Sequence, residues 1–173
     1  FYMPATDAAT GRATYFSKYD IVRDDYRAVM ASCALPGFCR PVKVGDRYYY
    51  DGGVADSIPL HHAIEQGCTK MVVILSNPRN FVKKPEAHRP LYKHMLHKYP
   101  KTIQSIDNRH INYQASIDLA CRLEKEGYVF IFAPSRHMPL STFSKDAALE
   151  QDLYDLGVAD YEARAEELKH FLN

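Results

Sequence analysis

The stretch Arg47-Tyr48-Tyr49-Tyr50-Asp51-Gly52-Gly53-Val54-Ala55-Asp56-Ser57-Ile58-Pro59 decides the fold of this chain. Its aromatic half is typical of a β-strand, and the strand ends at the carboxylate of Asp51. Two glycines follow, and they allow positive φ and leave room for another group to approach. A short polar turn comes next, and Pro59 suits the first turn of a helix. In α/β proteins, ligands and catalytic groups collect at the turn that follows a strand. We therefore expect Asp51 to be the central functional residue.

Composition limits the class of protein. The chain has 173 residues, 46% hydrophobic and 25% charged, with a formal net charge of +1. This length supports one domain with a real core. The near-zero net charge gives no electrostatic reason to expect a nucleic-acid partner. No apolar run reaches membrane-spanning length, and no segment resembles a signal peptide.

The four cysteines contain no C-x-x-C pair and are too sparse for a disulfide framework. Reduced thiols and a cytoplasmic location are the expectation. His94 and His97 lie three residues apart and could clip a metal on a helix, but no third ligand is evident nearby. We therefore predict neither a metal nor a cofactor.

The first half of the chain reads as strands joined by turns. Strands are predicted over 1–6 and 12–17, with Asp7 opening the turn between them and Gly11 supplying a positive φ. A short helix is expected after Asp24-Asp25, ending near Ala34. Because a domain rarely starts inside its sheet, we expect the chain to be the C-terminal part of a longer protein whose N-terminal half is its partner.

The second half reads as helices alternating with buried strands. A helix over 60–66 ends at Gly67, and the apolar run 70–75 predicts a central strand buried on both faces. Together with the strand before Asp51, these elements predict one βαβ unit. A short helix near 90–98, a long helix, a strand at 128–133 and two short helices separated by Gly157 follow. The long helix carries one apolar stripe, consisting of Ile103, Ile106, His110, Tyr113, Ile117 and Ala120. On this stripe we expect His110 to be a hydrogen-bonded core residue rather than a ligand.

The role of Asp51 stays open at this point, because Asp-Gly is also a frequent turn dipeptide. A carboxylate base needs a partner whose proton it accepts. Serine nucleophiles usually occupy a G-x-S-x-G elbow, and none of the nine serines (17, 32, 57, 76, 105, 116, 135, 141 and 144) lies in one. The chain also lacks a phosphate-binding glycine loop and an H-E-x-x-H motif.

An ordered set of motifs resembles the patatin-like phospholipase family. The set comprises Thr6-Asp7 with Thr10-Gly11, Ala31-Ser32-Cys33-Ala34-Leu35-Pro36-Gly37-Phe38, Pro41-Val42, Tyr50-Asp51-Gly52-Gly53 and Pro59. The resemblance covers about residues 1–76, and the helical remainder looks like the tails of bacterial members.

The resemblance implies a three-layer αβα fold, here incomplete because the N-terminal strands and the nucleophile elbow are absent, with a helical C-terminal tail. Residues 1–135 would form the α/β part and 136–173 the tail. It also implies a serine acyl-hydrolase acting on lipid or phospholipid esters through a Ser–Asp dyad, with Asp51 as the base. The serine and the oxyanion loop would lie upstream of Phe1, so the isolated chain is expected to be inactive.

The resemblance also suggests the substrate-binding residues. Gly52, Gly53, Ser32, Pro36 and Phe38 are the candidates, although Ser32 could cap a carbonyl, and Pro36 and Phe38 could simply pack in the core. Family members often have Asn where this chain has Ser57. The expected partners are a lipid or acyl ester and, transiently, a membrane surface. A non-catalytic patatin-like binding module and a purely structural domain remain the alternatives.

Overall fold

The computed structural model describes residues 1–139 and 145–173. They form two compact units, the first made of Phe1–Pro59 and Lys83–Ile117, the second of Leu60–Val82 and Asp118–Asn173. The strands are β1 Tyr2–Asp7, β2 Ala13–Ser17, β3 Val42–Val44, β4 Arg47–Asp51, β5 Met71–Ile74 and β6 Val129–Phe132. The α-helices are α1 Arg27–Ser32, α2 Leu60–Glu65, α3 Arg89–Met95, α4 Pro100–Lys125 and α5 Ala147–Leu172, with 3-10 turns at Lys18–Asp20 and Gly52–Val54.

The first unit is built on a four-stranded antiparallel sheet with the order β2-β1-β4-β3. Ala5 on β1 lies opposite Asp51 on β4. This register brings the carboxyl end of β4 next to the centre of β1, so that the central strand supports the turn after Asp51.

The predicted turn between β1 and β2 is confirmed in detail. The carboxylate Oδ1 of Asp7 accepts hydrogen bonds from the backbone N–H groups of Ala9 and Thr10, at 3.0 and 2.9 Å. Gly11 has a φ of 68°, and its N–H donates to the carbonyl of Asp7 at 2.8 Å. An Asp side chain that captures the next N–H groups and a glycine in the left-handed region are both local properties, which is why sequence alone could locate them.

Two apolar clusters cover opposite faces of this sheet. Consecutive side chains on a strand point to opposite faces, so Tyr49 and Tyr50 enter different clusters. One cluster consists of Ala5, Phe16, Ala28, Ala31 and Tyr49. The other consists of Ala8, Tyr50, Val54, Leu96, Ile103 and Ile106. Helix α1 therefore packs on one face, and the residues from 96 to 106 pack on the other.

The second unit contains a two-stranded parallel sheet of β5 and β6. The predicted βαβ unit linking β4 to β5 is therefore wrong, because β4 pairs with β1 and β3 while β5 pairs with β6. An apolar run indicates a strand but carries no information about its partner. The chain between the two parallel strands contains α3 and α4, as the long crossover of a parallel pair requires.

Burial of β5 on both faces is also wrong for the described residues. Val73 is buried, whereas Val72 is 41% and Ile74 is 79% exposed. Alternate side chains point to opposite faces, and one face of this strand is left uncovered by residues 1–139 and 145–173.

The apolar stripes of the tail on either side of Gly157 lie on one helix, not on the two predicted. Helix α5 runs from Ala147 to Leu172 through Gly157, and Asp146 caps its start by accepting from the N–H groups of Ala148 and Leu149. A glycine inside a helix costs about 1 kcal/mol relative to alanine, which is too little to break a helix of this length. Residues 140–144, at the start of the predicted tail, lie outside the described residues. The predicted boundary between 135 and 136, and the three-layer arrangement, stay predictions.

The apolar stripe of α4 is confirmed at four of its positions. Ile103, Ile106, Ile117 and Ala120 are all buried. The other two positions, His110 and Tyr113, are half-buried. Nδ1 of His110 is enclosed and has no hydrogen-bond partner among the described residues. The expectation of a hydrogen-bonded core histidine is therefore wrong for this atom.

Candidate functional site

Asp51 is the last residue of β4 and the N-cap of the 3-10 turn Gly52–Val54. Its Oδ1 accepts from the N–H of Gly53 at 2.7 Å, so the turn-forming role that the sequence left open is present. The other carboxylate oxygen, Oδ2, has no hydrogen-bond partner within the described part of the chain. The geometry thus holds one oxygen in place and leaves the second able to accept a proton.

The backbone of Asp51 is held on both sides. Its N–H donates to the carbonyl of Ala34 at 2.8 Å. Its carbonyl accepts from the hydroxyl of Thr6, also at 2.8 Å. Thr6 is fully buried, and its Oγ1 accepts in turn from the N–H of Ala55 at 3.2 Å. These bonds fix the start of the turn to the central strand β1.

Gly52 is required for a close approach and not for its φ. A Cβ at this position would overlap the backbone carbonyl of Pro4 on β1. The sequence-based expectation of positive φ after Asp51 is wrong, because neither Gly52 nor Gly53 lies in the left-handed region. The space left by the missing side chain is occupied by the neighbouring strand.

Gly53 is hydrogen-bonded at both of its peptide groups. Its N–H binds Asp51, and its carbonyl accepts from the hydroxyl of Ser57 at 2.8 Å and from Nε of Arg109 at 2.6 Å. Ser57, the position where the family often has Asn, thus has a defined role in the turn. Sequence reasoning missed Arg109, since no local pattern connects a helix residue to a carbonyl 56 positions earlier.

Arg109 is also part of a cluster of charged side chains. Its Nη1 donates to Glu86 at 2.9 Å, and the ammonium of Lys83 lies 3.8 Å from the same carboxylate. Burial, together with the positive charge of Arg109, lowers the pKa of Lys83, and Glu86 opposes this shift. The site therefore has two cations and one carboxylate on the side of Gly53.

Ser32 is tied to β1 rather than presented to Asp51. Its hydroxyl donates to the carbonyl of Pro4 at 2.7 Å. The serine thus caps a carbonyl, as the alternative interpretation held, but the carbonyl belongs to a strand and not to its own helix. Because its proton is held by Pro4, Ser32 is poorly placed to act as a nucleophile.

Pro36 and Phe38 lie in a tight turn at the surface. The carbonyl of Leu35 accepts from the N–H groups of Phe38 and Cys39, at 3.2 and 2.9 Å, and Gly37 has a φ of 87°. Phe38 is 74% exposed, so the alternative that it packs in the core is wrong. Its role in contacting an acyl chain stays a prediction.

The remaining side chains of interest are the histidines and cysteines that the sequence analysis considered. No group of three or more His, Cys, Asp or Glu residues within 1–139 and 145–173 is arranged to hold a metal. Nδ1 of His97 lies 2.9 Å from the carbonyl of His94. All four cysteines are free. In the same described ranges, helices of membrane-spanning length lack the apolar character to cross a bilayer.

Comparison with known proteins shows which protein family the segment around Asp51 resembles. Residues 5–64 match the family described as patatin-like phospholipase, and this segment holds Asp51 and all five candidate substrate-binding residues. This part of the chain is therefore similar to the patatin-like phospholipase family, the family that its motifs predicted.

Two further similarities extend this result. Residues 99–173, which contain Arg109, match a domain of unknown function (DUF6363). The uncharacterized protein YjjU of Escherichia coli (strain K12) is 39% identical over 59 residues. That alignment includes 34% of this chain and 16% of the relative, so the chain spans only a small part of the curated protein it matches.

Proposed function

We propose that this chain is part of a serine acyl-hydrolase acting on lipid esters, in which Asp51 is the general base of a Ser–Asp dyad. The observation that carries the proposal is the carboxylate itself. One of its oxygens is fixed by the N–H of Gly53 at 2.7 Å, and the other has no partner among the described residues. A base must keep an acceptor free and pointing in a defined direction, and this arrangement supplies both.

The proposed reaction uses this carboxylate twice. A serine outside these 173 residues would attack the acyl carbonyl while its proton passes to Asp51. The proton then protonates the leaving alcohol, and an acyl-enzyme remains. Water then gives a proton to the same carboxylate and attacks the acyl carbonyl, the bond from the acyl group to the serine oxygen breaks, and Asp51 returns the proton to that oxygen as the fatty acid leaves. Gly52, Gly53, Ser32, Pro36 and Phe38 are proposed to line the path of the acyl chain.

The test uses the complete protein that contains this segment, with a short-chain p-nitrophenyl ester as substrate. Asp51→Asn should lower kcat about 100-fold or more, the usual contribution of a general base. Asp46→Asn is the matched control, because Asp46 is exposed in the turn that precedes the same strand. Unchanged kcat in Asp51→Asn would leave Asp51 as a turn former only.

A second measurement separates the enzyme from a non-catalytic binding module. A serine-directed fluorophosphonate should label the complete protein once, upstream of this segment, and should not label the isolated 173-residue chain. Absence of labelling in the complete protein would favour the binding module. Ester hydrolysis by the isolated chain that survives Ser32→Ala would contradict the proposed dyad.

A further inference from the structure

One face of helix α4 donates hydrogen bonds to the patatin-like segment. Its three polar donors are spaced three and four residues apart, which places them on the same side of a helix. The bonds run from Thr102 to the carbonyl of Ala8, from Ser105 to that of Gly11 and from Arg109 to that of Gly53, at 2.8, 2.7 and 2.6 Å. All three donors belong to the matched region 99–173, and all three acceptors belong to 5–64.

The bond from Arg109 differs from the other two because its acceptor adjoins Asp51. Gly53 receives Arg109 at its carbonyl and holds Oδ1 of Asp51 with its N–H. A glycine has more backbone freedom than any other residue, so its two peptide groups need external partners to stay in one orientation. Arg109 therefore acts on the carboxylate through one intervening residue.

Arg109 is itself held in a single orientation. Nη1 donates to Glu86 while Nε donates to Gly53, so the planar guanidinium is fixed at two of its edges. Hydrogen bonds from a charged donor are stronger than those between neutral groups, and this side chain is 29% exposed. Ser57, the other donor to Gly53, is a neutral hydroxyl on the same turn and moves with it.

We propose that Arg109, from the region that matches a domain of unknown function, is a positioning residue for the base Asp51. The inference rests on the proposed hydrolase function. Without the guanidinium, the Gly53 peptide gains freedom and the carboxylate loses its fixed direction toward the nucleophile. Since a displacement of about 1 Å can cost up to about 100-fold in rate, the effect should fall on kcat.

The experiment compares Arg109→Ala, Arg109→Lys and the control Arg89→Ala in the complete protein. Arg89 of α3 makes a two-point ion pair with Asp107 of α4, the helix that carries Arg109, at 2.9 and 2.7 Å. We expect Arg109→Ala to lower kcat about tenfold or more with little change in KM. Arg109→Lys keeps a charged donor and should therefore lose less kcat than Arg109→Ala. Arg89→Ala should keep the kcat of the wild type.

Two outcomes would overturn the inference: a kcat of Arg109→Ala within about twofold of Arg89→Ala, or a loss confined to KM. If Arg109→Ala fails to fold, Arg109→Lys compared with Arg89→Lys decides by the same criterion. Hydrogen–deuterium exchange of the peptide 50–54 gives a readout independent of turnover, and it should be faster in Arg109→Ala than in Arg89→Ala. If exchange is faster in Arg109→Ala while Asp51→Asn remains fully active, the proposed function fails, but Arg109 still holds the turn. Equal exchange in Arg109→Ala and Arg89→Ala would show that Arg109 does not hold the turn.

Discussion

The hydroxyl of Thr6 donates to the carbonyl of Asp51 at 2.8 Å and accepts from the N–H of Ala55 at 3.2 Å. One fully buried side chain on β1 thus satisfies two backbone groups on either side of the Gly52–Val54 turn. The turn is therefore held from the central strand as well as from helix α4.

Thr6→Val should lower the free energy of unfolding by about 1–3 kcal/mol. Valine has nearly the shape of threonine, so the cost comes from leaving the carbonyl of Asp51 without its partner. The N–H of Ala55 loses its bond to Thr6 and keeps only the one to the carbonyl of Gly52, at 3.2 Å. Urea unfolding of the 173-residue chain measures the change. Thr6→Ser keeps the hydroxyl and should lose clearly less stability. Equal losses in the two variants would show that the methyl group, and not the hydrogen bonds, stabilises the turn.

Asp7 should make stability depend on pH in the acid range. Burial alone would raise its pKa, but hydrogen bonds from Thr10, Arg47 and Ala9 outweigh burial and hold the pKa below the ordinary value of 3.8. A carboxyl whose pKa is lower in the folded state contributes stability above its unfolded pKa, and loses this contribution as pH falls through its folded pKa.

The expected result is a cost of Asp7→Asn that is larger at pH 7 than at pH 3, measured by urea unfolding at both values. Asp24→Asn is the control, because the Asp24 side chain is 86% exposed and its removal should change the free energy of unfolding by less than about 0.5 kcal/mol. An equal cost of Asp7→Asn at the two pH values would mean that its charge contributes nothing.

Gly52→Ala should destabilise the protein by about 1–3 kcal/mol or more, because the new methyl group overlaps the backbone of Pro4. Gly53→Ala is the informative comparison. There the added Cβ would lie 3.0 Å from Oδ1 of Asp51 and 3.4 Å from Nη2 of Arg109, which are side-chain atoms that can move. Thermal unfolding should therefore rank Gly52→Ala below Gly53→Ala, and the reverse order would contradict the close packing of β1 on the turn.

Gly157→Ala should stabilise the chain by about 0.5–1 kcal/mol. Gly157 lies inside the continuous helix α5, and a Cβ there meets no atom within 4 Å. Alanine removes backbone freedom from the unfolded state and favours the helix. Helical ellipticity during urea unfolding reports the change. A loss of stability would indicate that the helix is interrupted at this residue, as the sequence first suggested.

Sequence reasoning succeeded where the determinants are local. The turn from Asp7 to Gly11 follows from an Asp side chain and a left-handed glycine, and the long helix α4 follows from its apolar period. It failed where a strand's pairing partner depends on residues that are distant along the chain. Tyr48 to Tyr50 and Met71 to Ile74 both read as strands, but nothing within either run shows that they join different sheets.

In the candidate site, too, some features could be predicted from the sequence and others only from the structure. The order of motifs from Thr6 to Pro59 was enough to predict the family and to single out Asp51. Ser32, in contrast, was compatible with a cleft or a cap, and only the position of the Pro4 carbonyl distinguished them. At Gly52 the expected positive φ is wrong and the expected close approach is confirmed, but only the structure shows that the approaching group is the backbone of Pro4 on β1.

The amino-acid sequence by itself therefore determined the turns, the end of β4 at Asp51 and the family of residues 5–64, because backbone dihedrals and side-chain alternation depend on neighbours along the chain. Tertiary structure alone decided the pairing of β5, the capping role of Ser32 and the bond from Arg109 to Gly53. These contacts join residues 28 to 58 positions apart, so their partners come within hydrogen-bond reach only after the sheet and α4 have packed.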